Sequence, residues 1–370
     1  MRFFIINTDY QDYIDSIYSR NPGLRGQSFS EQYDYRMNSL FGMADFYSRN
    51  LNALGHEAVD IIANHEPLQR QWAVENGVKV SRRSWLRFPV LRRVVGRENW
   101  MYPILEEQIE RFRPDVIYSM AMESVPSDFL KSVKTRYGIK LIVGQHAAPL
   151  TRSMADLSGY DLILSSLPNL VRFFREKGGN SEYFQLGFEA TIPEGLSKGD
   201  EQHQVVFVGG ISGAHSRGTE MMERLARSVP IDFWGYGIDS LPSGSRIKRS
   251  HHGMIWGKDM YNLLYNARIG INRHIDISEN YANNMRLYET TGVGTLLITD
   301  YKDNLNDIFE IGKEVEIYHN ERELIEKIGY YLENEGARDE IARAGQRRTL
   351  QEHSYLNRMR ELVEMVGKYM

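Results

Sequence analysis

Short apolar runs alternate with longer amphipathic stretches along the first half of the chain. The runs are rich in Ile and Val, which is typical of buried strands, and they read RFFIIN, HEAVDIIA, PDVIYSM, IKLIVG and YDLILSS. Between them, the stretches from Glu31 to Leu54 and from Ser127 to Tyr137 predict helices, and Pro168 suits the first turn of another. Such alternation predicts a parallel sheet that helices cover on both faces.

A second series of the same kind follows a polar break. The break, IPEGLSKGDEQHQ at residues 192–204, has no apolar periodicity and predicts a linker. Further strands are predicted at QVVFVGG, IDFWGYG, GMIWG, ARIGIN, GTLLITD and EVEIYH, and the chain is helical from Glu321 onward. We therefore expect two doubly wound α/β domains, at residues 1–191 and 205–352. Residues 353–370 should form a helix that packs back toward the N-terminal domain.

Composition narrows the class of protein. A chain of 370 residues holds about two domains, and 42% hydrophobic with 25% charged residues is ordinary for globular proteins. The formal charge of -4 argues against bulk nucleic-acid binding. The chain has no cysteine, which excludes disulfides, thiolate metal sites and a cysteine nucleophile. The absence of cysteine fits a reducing compartment, and no apolar run approaches the roughly 18 residues that span a bilayer, so we expect a soluble or at most peripheral protein in the cytoplasm.

The turn after QVVFV is rich in glycine. Gly209 and Gly210 could let a phosphate approach the backbone, and Arg217 could add a positive charge. The turn matches neither the dinucleotide fingerprint nor the P-loop. A tight strand-to-helix turn without a ligand, followed by a solvated arginine, is the alternative.

The segment NNMRLYETTGVGTLLITD, residues 283–300, combines polar groups with a helix start. Asn283 or Asn284 is a suitable N-cap, which leaves the amides of the first turn free. Arg286 and Glu289 share one helix face, where a simple ion pair is one interpretation. In the other, the amides and Arg286 hold a diphosphate while Glu289 accepts hydrogen bonds from sugar hydroxyls.

These residues resemble a known family. The runs VVFVGG, HGMIWGKDMYNLLYNARIGINRH, NNMRLYETTGVGTLLITD and EVEIYHNERELIEKIGYYL are similar to the donor domain of glycosyltransferases related to the spore-maturation protein CgeB. VGQHAAPL, YDLILSSLPNLVRFF and LGFEA in the first half also resemble this group. The resemblance implies a GT-B fold, with two Rossmann-like domains facing across a cleft and the donor bound mainly by the second.

The resemblance also implies roles for individual residues. Glu289 would bind the donor ribose, and the amides of Asn284 and Met285 would bind the diphosphate. The remaining implied donor contacts are Gly209 and Gly210 at the phosphates and Trp256 and Gly257 near the base. From their places after strands and near helix starts, Arg217, His274 and Arg286 are also expected to contact the donor. Many related transferases carry a second glutamate eight residues before the first, and Tyr281 stands there in this chain.

The catalytic base is expected at a strand end of the first domain. Asp9, Glu123 and His146 follow the runs RFFIIN, PDVIYSM and IKLIVG. We favour His146 because the ordinary pKa of histidine is closest to neutrality. The alternative for His146 is a structural histidine that holds a loop through a backbone hydrogen bond.

No metal or other cofactor is expected, because the nucleotide sugar is itself a substrate. The ten histidines show no H-x-x-x-H or H-E-x-x-H spacing, the chain has no D-x-D motif, and His251 and His252 are adjacent. Amides and arginines would then stabilise the leaving group.

Residues 79–97, KVSRRSWLRFPVLRRVVGR, form a basic stretch with six arginines, one lysine and no acidic residue. It could contact anionic lipid at the inner face of the membrane or meet an acidic acceptor, and a solvated loop is the alternative.

The sequence thus predicts a metal-independent glycosyltransferase with a nucleotide-sugar donor and a glycan, lipid-linked or protein acceptor. A GT-B epimerase and a non-catalytic sugar-nucleotide-binding protein are the alternatives.

Overall fold

A computed structural model of the protein describes residues 1–80, 100–151, 156–199, 203–211 and 216–370, without the side chains of residues 216, 217 and 276. The chain forms two compact units. The first unit comprises Met1–Phe184 and Met359–Met370, and the second comprises Gln185–Arg358. The first unit ends at Phe184, before the end that was predicted for the N-terminal domain at residue 191. The second unit ends at Arg358, after the end that was predicted for the C-terminal domain at residue 352.

The first unit is built on a parallel sheet of six strands in the order β2-β1-β3-β4-β5-β6. The strands are β1 (Arg2–Asn7), β2 (Glu57–Ile62), β3 (Val116–Ser119), β4 (Leu141–Gln145), β5 (Leu162–Ser165) and β6 (Ser181–Tyr183). The helices are α1 (Gln11–Arg20), α2 (Phe29–Asn38), α3 (Phe46–Ala53), α4 (Glu66–Glu75), α5 (Met101–Phe112), α6 (Ser127–Tyr137) and α7 (Pro168–Glu176). Every residue of β3, β4 and β5 is buried, as continuous apolar runs predict for a sheet covered on both faces.

The second unit holds a parallel sheet of five strands in the order β11-β10-β9-β7-β8. The strands are β7 (His203–Val208), β8 (Asp232–Trp234), β9 (Ala267–Asn272), β10 (Leu296–Asp300) and β11 (Glu316–Tyr318). The helices are α8 (Ser216–Ser228), α9 (Arg246–Arg249), α10 (Gly257–Tyr265), α11 (Met285–Gly292), α12 (Glu321–Glu333) and α13 (Glu335–Glu352). The last helix, α14 (Tyr355–Tyr369), ends in the first unit, where the Tyr369 hydroxyl donates to Glu182 Oε1 at 2.8 Å.

The predicted doubly wound α/β fold is therefore confirmed. The stretch from Glu31 to Leu54 is helical as predicted and is divided into two helices, because Leu40, Gly42 and Ala44 take positive φ angles between them. Two local predictions are wrong. The run GMIWG forms no strand, since Gly253 and Gly257 have φ angles of 96° and 49°.

The predicted linker at residues 192–204 is also wrong as far as the structure describes it. Residues Ile192–Gly195 form a 3-10 turn, and Ile192 is buried. The Ser197 amide donates to Asn262 Oδ1, and the Gly199 amide donates to Asn266 Oδ1 at 2.7 Å. These bonds fix the segment to the end of α10, because short polar side chains there bind backbone groups that would otherwise face water.

None of the helices in the described ranges is long and apolar enough to cross a bilayer.

Candidate functional site

The carboxyl ends of β7, β9 and β10 meet at one edge of the second sheet, since these three parallel strands are neighbours. Loops and helix N-termini lie at this edge, where ligands bind in open parallel sheets. The sequence places the glycine-rich turn after β7, Arg273 and His274 after β9, and the start of α11 before β10.

The glycine-rich turn continues the pairing of β7 with β8. The Gly209 amide donates to the Trp234 carbonyl at 2.9 Å, and the Ile211 amide donates to the Tyr236 carbonyl at 2.8 Å. Because amide directions alternate along a strand, the Gly210 N–H points to the opposite side, toward β9. No described residue accepts a hydrogen bond from it. The turn therefore presents one open backbone donor.

The start of α11 presents further open donors. Asn284 is the N-cap, as predicted, and its Oδ1 accepts from the Arg286 amide at 2.9 Å. The backbone N–H groups of Asn284 and Met285 have no acceptor among the described residues. A helix N-terminus with open amides favours negative charge.

Arg286, in the first turn of α11, links the start of this helix to the end of β7. Its Nε donates to the Val208 carbonyl at 3.3 Å, at the last residue of β7, and its Nη1 lies 2.7 Å from Glu289 Oε2. The two side chains are only 14% and 7% exposed. The ion pair that the i,i+3 spacing predicts is therefore formed, and it lies mostly buried beside the glycine-rich turn.

Glu289 has a second partner within the unit. The Tyr261 hydroxyl from α10 is hydrogen-bonded to Glu289, and burial, followed by the Glu289 charge, raises the pKa of Tyr261 well above its ordinary value. Tyr261 therefore stays protonated and donates to the carboxylate. Sequence reasoning missed this residue, because nothing in its spacing distinguishes it from the other tyrosines.

His274 forms a buried pair with Asp300 at the ends of β9 and β10. Its Nδ1 lies 2.7 Å from Asp300 Oδ1, and its amide donates to the same oxygen at 3.0 Å. Burial raises the pKa of Asp300, but the His274 contacts and Lys302 bring it below the ordinary value. The Nε2 atom of His274 is buried with no partner in the described part of the chain. Because the ionised carboxylate is an acceptor only, Nδ1 donates to it, and Nε2 is the ring nitrogen left without a partner.

The other predicted donor contacts lie on the neighbouring helices. Trp256 is the N-cap of α10 and Gly257 is its first residue, while Met260, one turn later, places its sulfur 3.0 Å from Arg286 Nη1. The side chain of Arg217 lies outside the described residues. Arg273, which the sequence interpretation did not select, rests its guanidinium against the first turn of α8, where a Cβ at Gly218 would overlap it.

In the first unit, Asp9 lies at the carboxyl end of β1 but is held in a buried network. Arg36 donates to both carboxylate oxygens, at 2.8 and 2.6 Å, and His65 Nδ1 lies 3.1 Å away. Burial raises the pKa of Asp9, but Arg36 and His65 outweigh it and hold that pKa below its ordinary value. A carboxylate bound in this way fits a structural ion pair better than a base.

His146 and Glu123 follow the neighbouring strands β4 and β3. His146 Nε2 lies 2.7 Å from the Ala148 carbonyl and donates to it, so Nδ1 is the basic nitrogen of the neutral ring. Burial lowers the pKa of His146, although the Ala148 carbonyl and the nearby Glu123 carboxylate oppose that shift. Glu123 itself is exposed. The neutral imidazole therefore dominates at pH 7.

Three further points bear on the predictions. A cavity of about 440 Å³ in the first unit is lined by residues of β1 and β2, among them Phe4, Val59 and Asp60, and by none of the predicted site residues. Within the described ranges, no cluster of three or more His, Asp or Glu side chains has a geometry that could hold a metal ion. Of the basic stretch at residues 79–97, residues 81–97 lie outside the described chain.

Part of the chain is similar in sequence to a known family. Residues 217–364, less than half of the chain, match the family described as glycosyl transferase-like. No curated protein sequence matches the chain.

Solved structures match over the full length. A glycosyltransferase from Rickettsia africae is 11% identical with a TM-score of 0.60, covering 100% of this chain and 98% of that chain. The HepE protein of Anabaena in complex with UDP-glucose is 10% identical with a TM-score of 0.58, covering 100% of both. Sucrose-phosphate synthase from Thermosynechococcus elongatus is 11% identical with a TM-score of 0.55, covering 100% and 98%. The chain therefore has the two-domain, Rossmann-like GT-B fold, and residues 217–364 are glycosyl transferase-like in sequence.

Proposed function

We propose that the protein is a glycosyltransferase that moves a sugar from a nucleotide-sugar donor to an acceptor hydroxyl. The observation that carries this proposal is the buried Arg286–Glu289 pair at the capped start of α11, bonded to the end of β7 beside the glycine-rich turn. The glycosyl transferase-like sequence of residues 217–364 supports it, as does the UDP-glucose bound by the HepE protein.

The donor contacts divide by chemistry. The amides of Gly210, Asn284 and Met285 bind the diphosphate, together with the guanidinium of Arg286. These groups combine open N–H donors, a helix dipole and a fixed positive charge, each of which favours a phosphate. Gly209 provides the close turn, and Arg217 and Arg273, near the start of α8, add positive charge.

The nucleoside and the sugar take the remaining groups. Glu289, oriented by Tyr261 and Arg286, accepts hydrogen bonds from the ribose hydroxyls, and Trp256 with Gly257 lies near the base. The unpaired Nε2 of His274 forms a hydrogen bond with a hydroxyl of the donor, which would satisfy an atom that is otherwise costly to bury.

The transfer step then needs a base. His146 Nδ1 removes the proton from the acceptor hydroxyl, the acceptor oxygen bonds to the anomeric carbon, and the bond from that carbon to the diphosphate breaks. The nucleoside diphosphate leaves with the bonding electrons, and the amides and arginines stabilise its charge. Glu123 stabilises the imidazolium that forms, since its carboxylate already favours the charged ring.

No divalent ion takes part in this proposal, because amides and arginines supply the positive charge. Activity in excess chelator should equal activity with added magnesium or manganese. Loss of activity in the chelator, with recovery on adding either ion, would contradict it.

The acceptor is proposed to be a glycan, a lipid-linked molecule or a protein, used in the cytoplasm. The basic stretch at residues 79–97 would meet an acidic acceptor or the membrane surface. Changing Arg82, Arg83, Arg92 and Arg93 to glutamine should weaken binding to anionic liposomes or to the acceptor. Unchanged binding to both would contradict this role.

The direct test of the function is a thermal-shift screen against nucleoside diphosphates, followed by turnover of the matching nucleotide sugar. A ligand at 100 times its Kd should stabilise the protein by about 2.7 kcal/mol. Turnover should release nucleoside diphosphate and form a glycoside only when an acceptor is present. An epimerised sugar formed without an acceptor would identify an epimerase, and binding without turnover would identify a binding protein.

A further inference from the structure

Tyr236 lies beside the proposed diphosphate site, and neither the motif analysis nor the proposed function uses it. It follows β8, the edge strand next to β7, and it is 52% exposed. An exposed aromatic side chain on a strand end usually has no fixed neighbour. This one has a close neighbour in the glycine-rich turn.

The contact is made by the hydroxyl end of the ring. A Cβ added at Gly210 would lie 2.5 Å from Cζ, 2.6 Å from the hydroxyl oxygen and 2.7 Å from Cε2 of Tyr236. The distal edge of the ring, and not its face, therefore rests against Gly210. Any larger residue at position 210 would displace it.

The backbone fixes Tyr236 in this place. The Ile211 amide donates to the Tyr236 carbonyl, which extends the β7–β8 pairing through the turn. Gly235 has a φ of 131°, and a Cβ there would overlap the Gly209 carbonyl oxygen. The ends of β7 and β8 therefore approach each other at Gly209 and Gly235. Tyr236, the residue after Gly235, contacts Gly210.

The Tyr236 hydroxyl has no hydrogen-bond partner among the described residues. A phenol O–H is a donor at neutral pH, and hydrogen bonds from such donors to charged oxygens are among the stronger ones in proteins. The hydroxyl thus adds a side-chain donor to a turn that already presents the open amide of Gly210.

We propose that the Tyr236 hydroxyl donates a hydrogen bond to the diphosphate of the bound nucleotide at the Gly209–Gly210 turn. This inference rests on the proposed function, because it assumes that a nucleoside diphosphate binds there. Tyr236 is then a determinant of phosphate affinity in a position that sequence motifs do not mark.

Tyr236→Phe tests the hydroxyl alone, because it keeps the ring and its packing. Calorimetry with the nucleoside diphosphate that binds the wild type best should give an affinity about tenfold to a hundredfold lower. The affinity for the corresponding nucleoside should not change. Tyr330→Phe is a matched control, since Tyr330 on α12 is also 52% exposed and lies in the same unit, and it should bind both ligands like the wild type.

Each other outcome has a defined meaning. Wild-type affinity in Tyr236→Phe with weak binding in Tyr236→Leu would assign the effect to the ring, for example by base stacking, and would overturn the proposal. Wild-type affinity in both variants would overturn it as well. In either case, loss of diphosphate binding in Arg286→Ala would leave the proposed function standing. If the wild type binds no nucleoside diphosphate, the proposed function fails first.

Discussion

The polar groups at the carboxyl edges of the two sheets differ in whether they have hydrogen-bond partners within the unit. At the end of β1, the Asp9 carboxylate is saturated by Arg36 and His65, so the charge is neutralised within the unit. At the end of β7 and the start of α11, the amides of Gly210 and Met285 have no acceptor among the described residues. The same α/β architecture therefore yields a paired carboxylate at this edge in one unit and an open set of anion-binding donors in the other.

The difference shows which groups remain available to bind an anionic ligand. The Asp9 carboxylate in the first unit is paired with neighbouring side chains, as buried polar groups in folded proteins usually are. Backbone amides freed by glycine or by a helix start cannot rearrange, and they stay available for a ligand. The comparison predicts that changes in the first unit alter turnover, whereas changes in the second alter donor affinity.

The largest expected effect comes from His146→Asn. Loss of a general base should lower kcat by about 10²-fold to 10⁴-fold, while the affinity for nucleoside diphosphate stays unchanged. Because the pKa of His146 is lowered, activity should fall on the acid side only below the ordinary value of 6.5. Exposed His252→Asn is the control and should retain full turnover. Equal turnover in His146→Asn and in the wild type would contradict the assignment of the catalytic base to His146 in the first unit.

The two units should also respond oppositely to acid. In the second unit, burial lowers the pKa of His353 to about 4, so between pH 6.5 and 4 the unfolded chain binds a proton that the folded protein does not. This group should remove up to about 3 kcal/mol of folding free energy as the pH falls through that window. His353→Gln should flatten the pH dependence of denaturant unfolding.

In the first unit, Asp60 should change the free energy of unfolding with pH in the opposite direction. Burial raises the pKa of Asp60 to about 7, so between pH 3.8 and 7 the folded protein keeps a proton that the unfolded chain loses. Its contribution to stability should fall as the pH rises through this window. Asp60→Asn should remove that slope, and identical slopes in Asp60→Asn and His353→Gln would refute the contrast.

The smallest effect concerns the cap that opens the amides of α11. Asn284→Ala should cost about 1 kcal/mol of unfolding free energy, because it removes the acceptor for the Arg286 amide. Asn283→Ala is the matched control. Its Oδ1 is buried without a described partner, so the substitution should cost clearly less. Equal losses in urea titrations of the two variants would place the cap elsewhere.

Local patterns in the sequence predicted the strands and the start of α11 correctly. Apolar runs indicate burial directly, and Asn284 marks a helix start whatever the surrounding fold, because its side chain caps the first turn. The same reasoning failed at GMIWG, where the positive φ angles of Gly253 and Gly257 outweigh the apolar residues between them.

The site was only partly predictable. The Arg286–Glu289 pair follows from spacing along one helix, but its burial depends on the carbonyl of Val208 and on Tyr261, which are distant in sequence. Arg273 and Tyr236 were missed for the same reason. Each meets the site through a glycine on another element, and no local motif records such a contact.

The most direct test of the account is the calorimetric affinity of Glu289→Gln for nucleoside diphosphate. The variant keeps the size of the side chain and removes the charge that would accept the ribose hydroxyls, so the affinity should fall by about tenfold to a hundredfold. Glu316→Gln is the matched control, because Glu316 is also a buried carboxylate that binds a tyrosine hydroxyl and a cation. It should bind like the wild type. Wild-type affinity in Glu289→Gln would contradict a donor site at the start of α11.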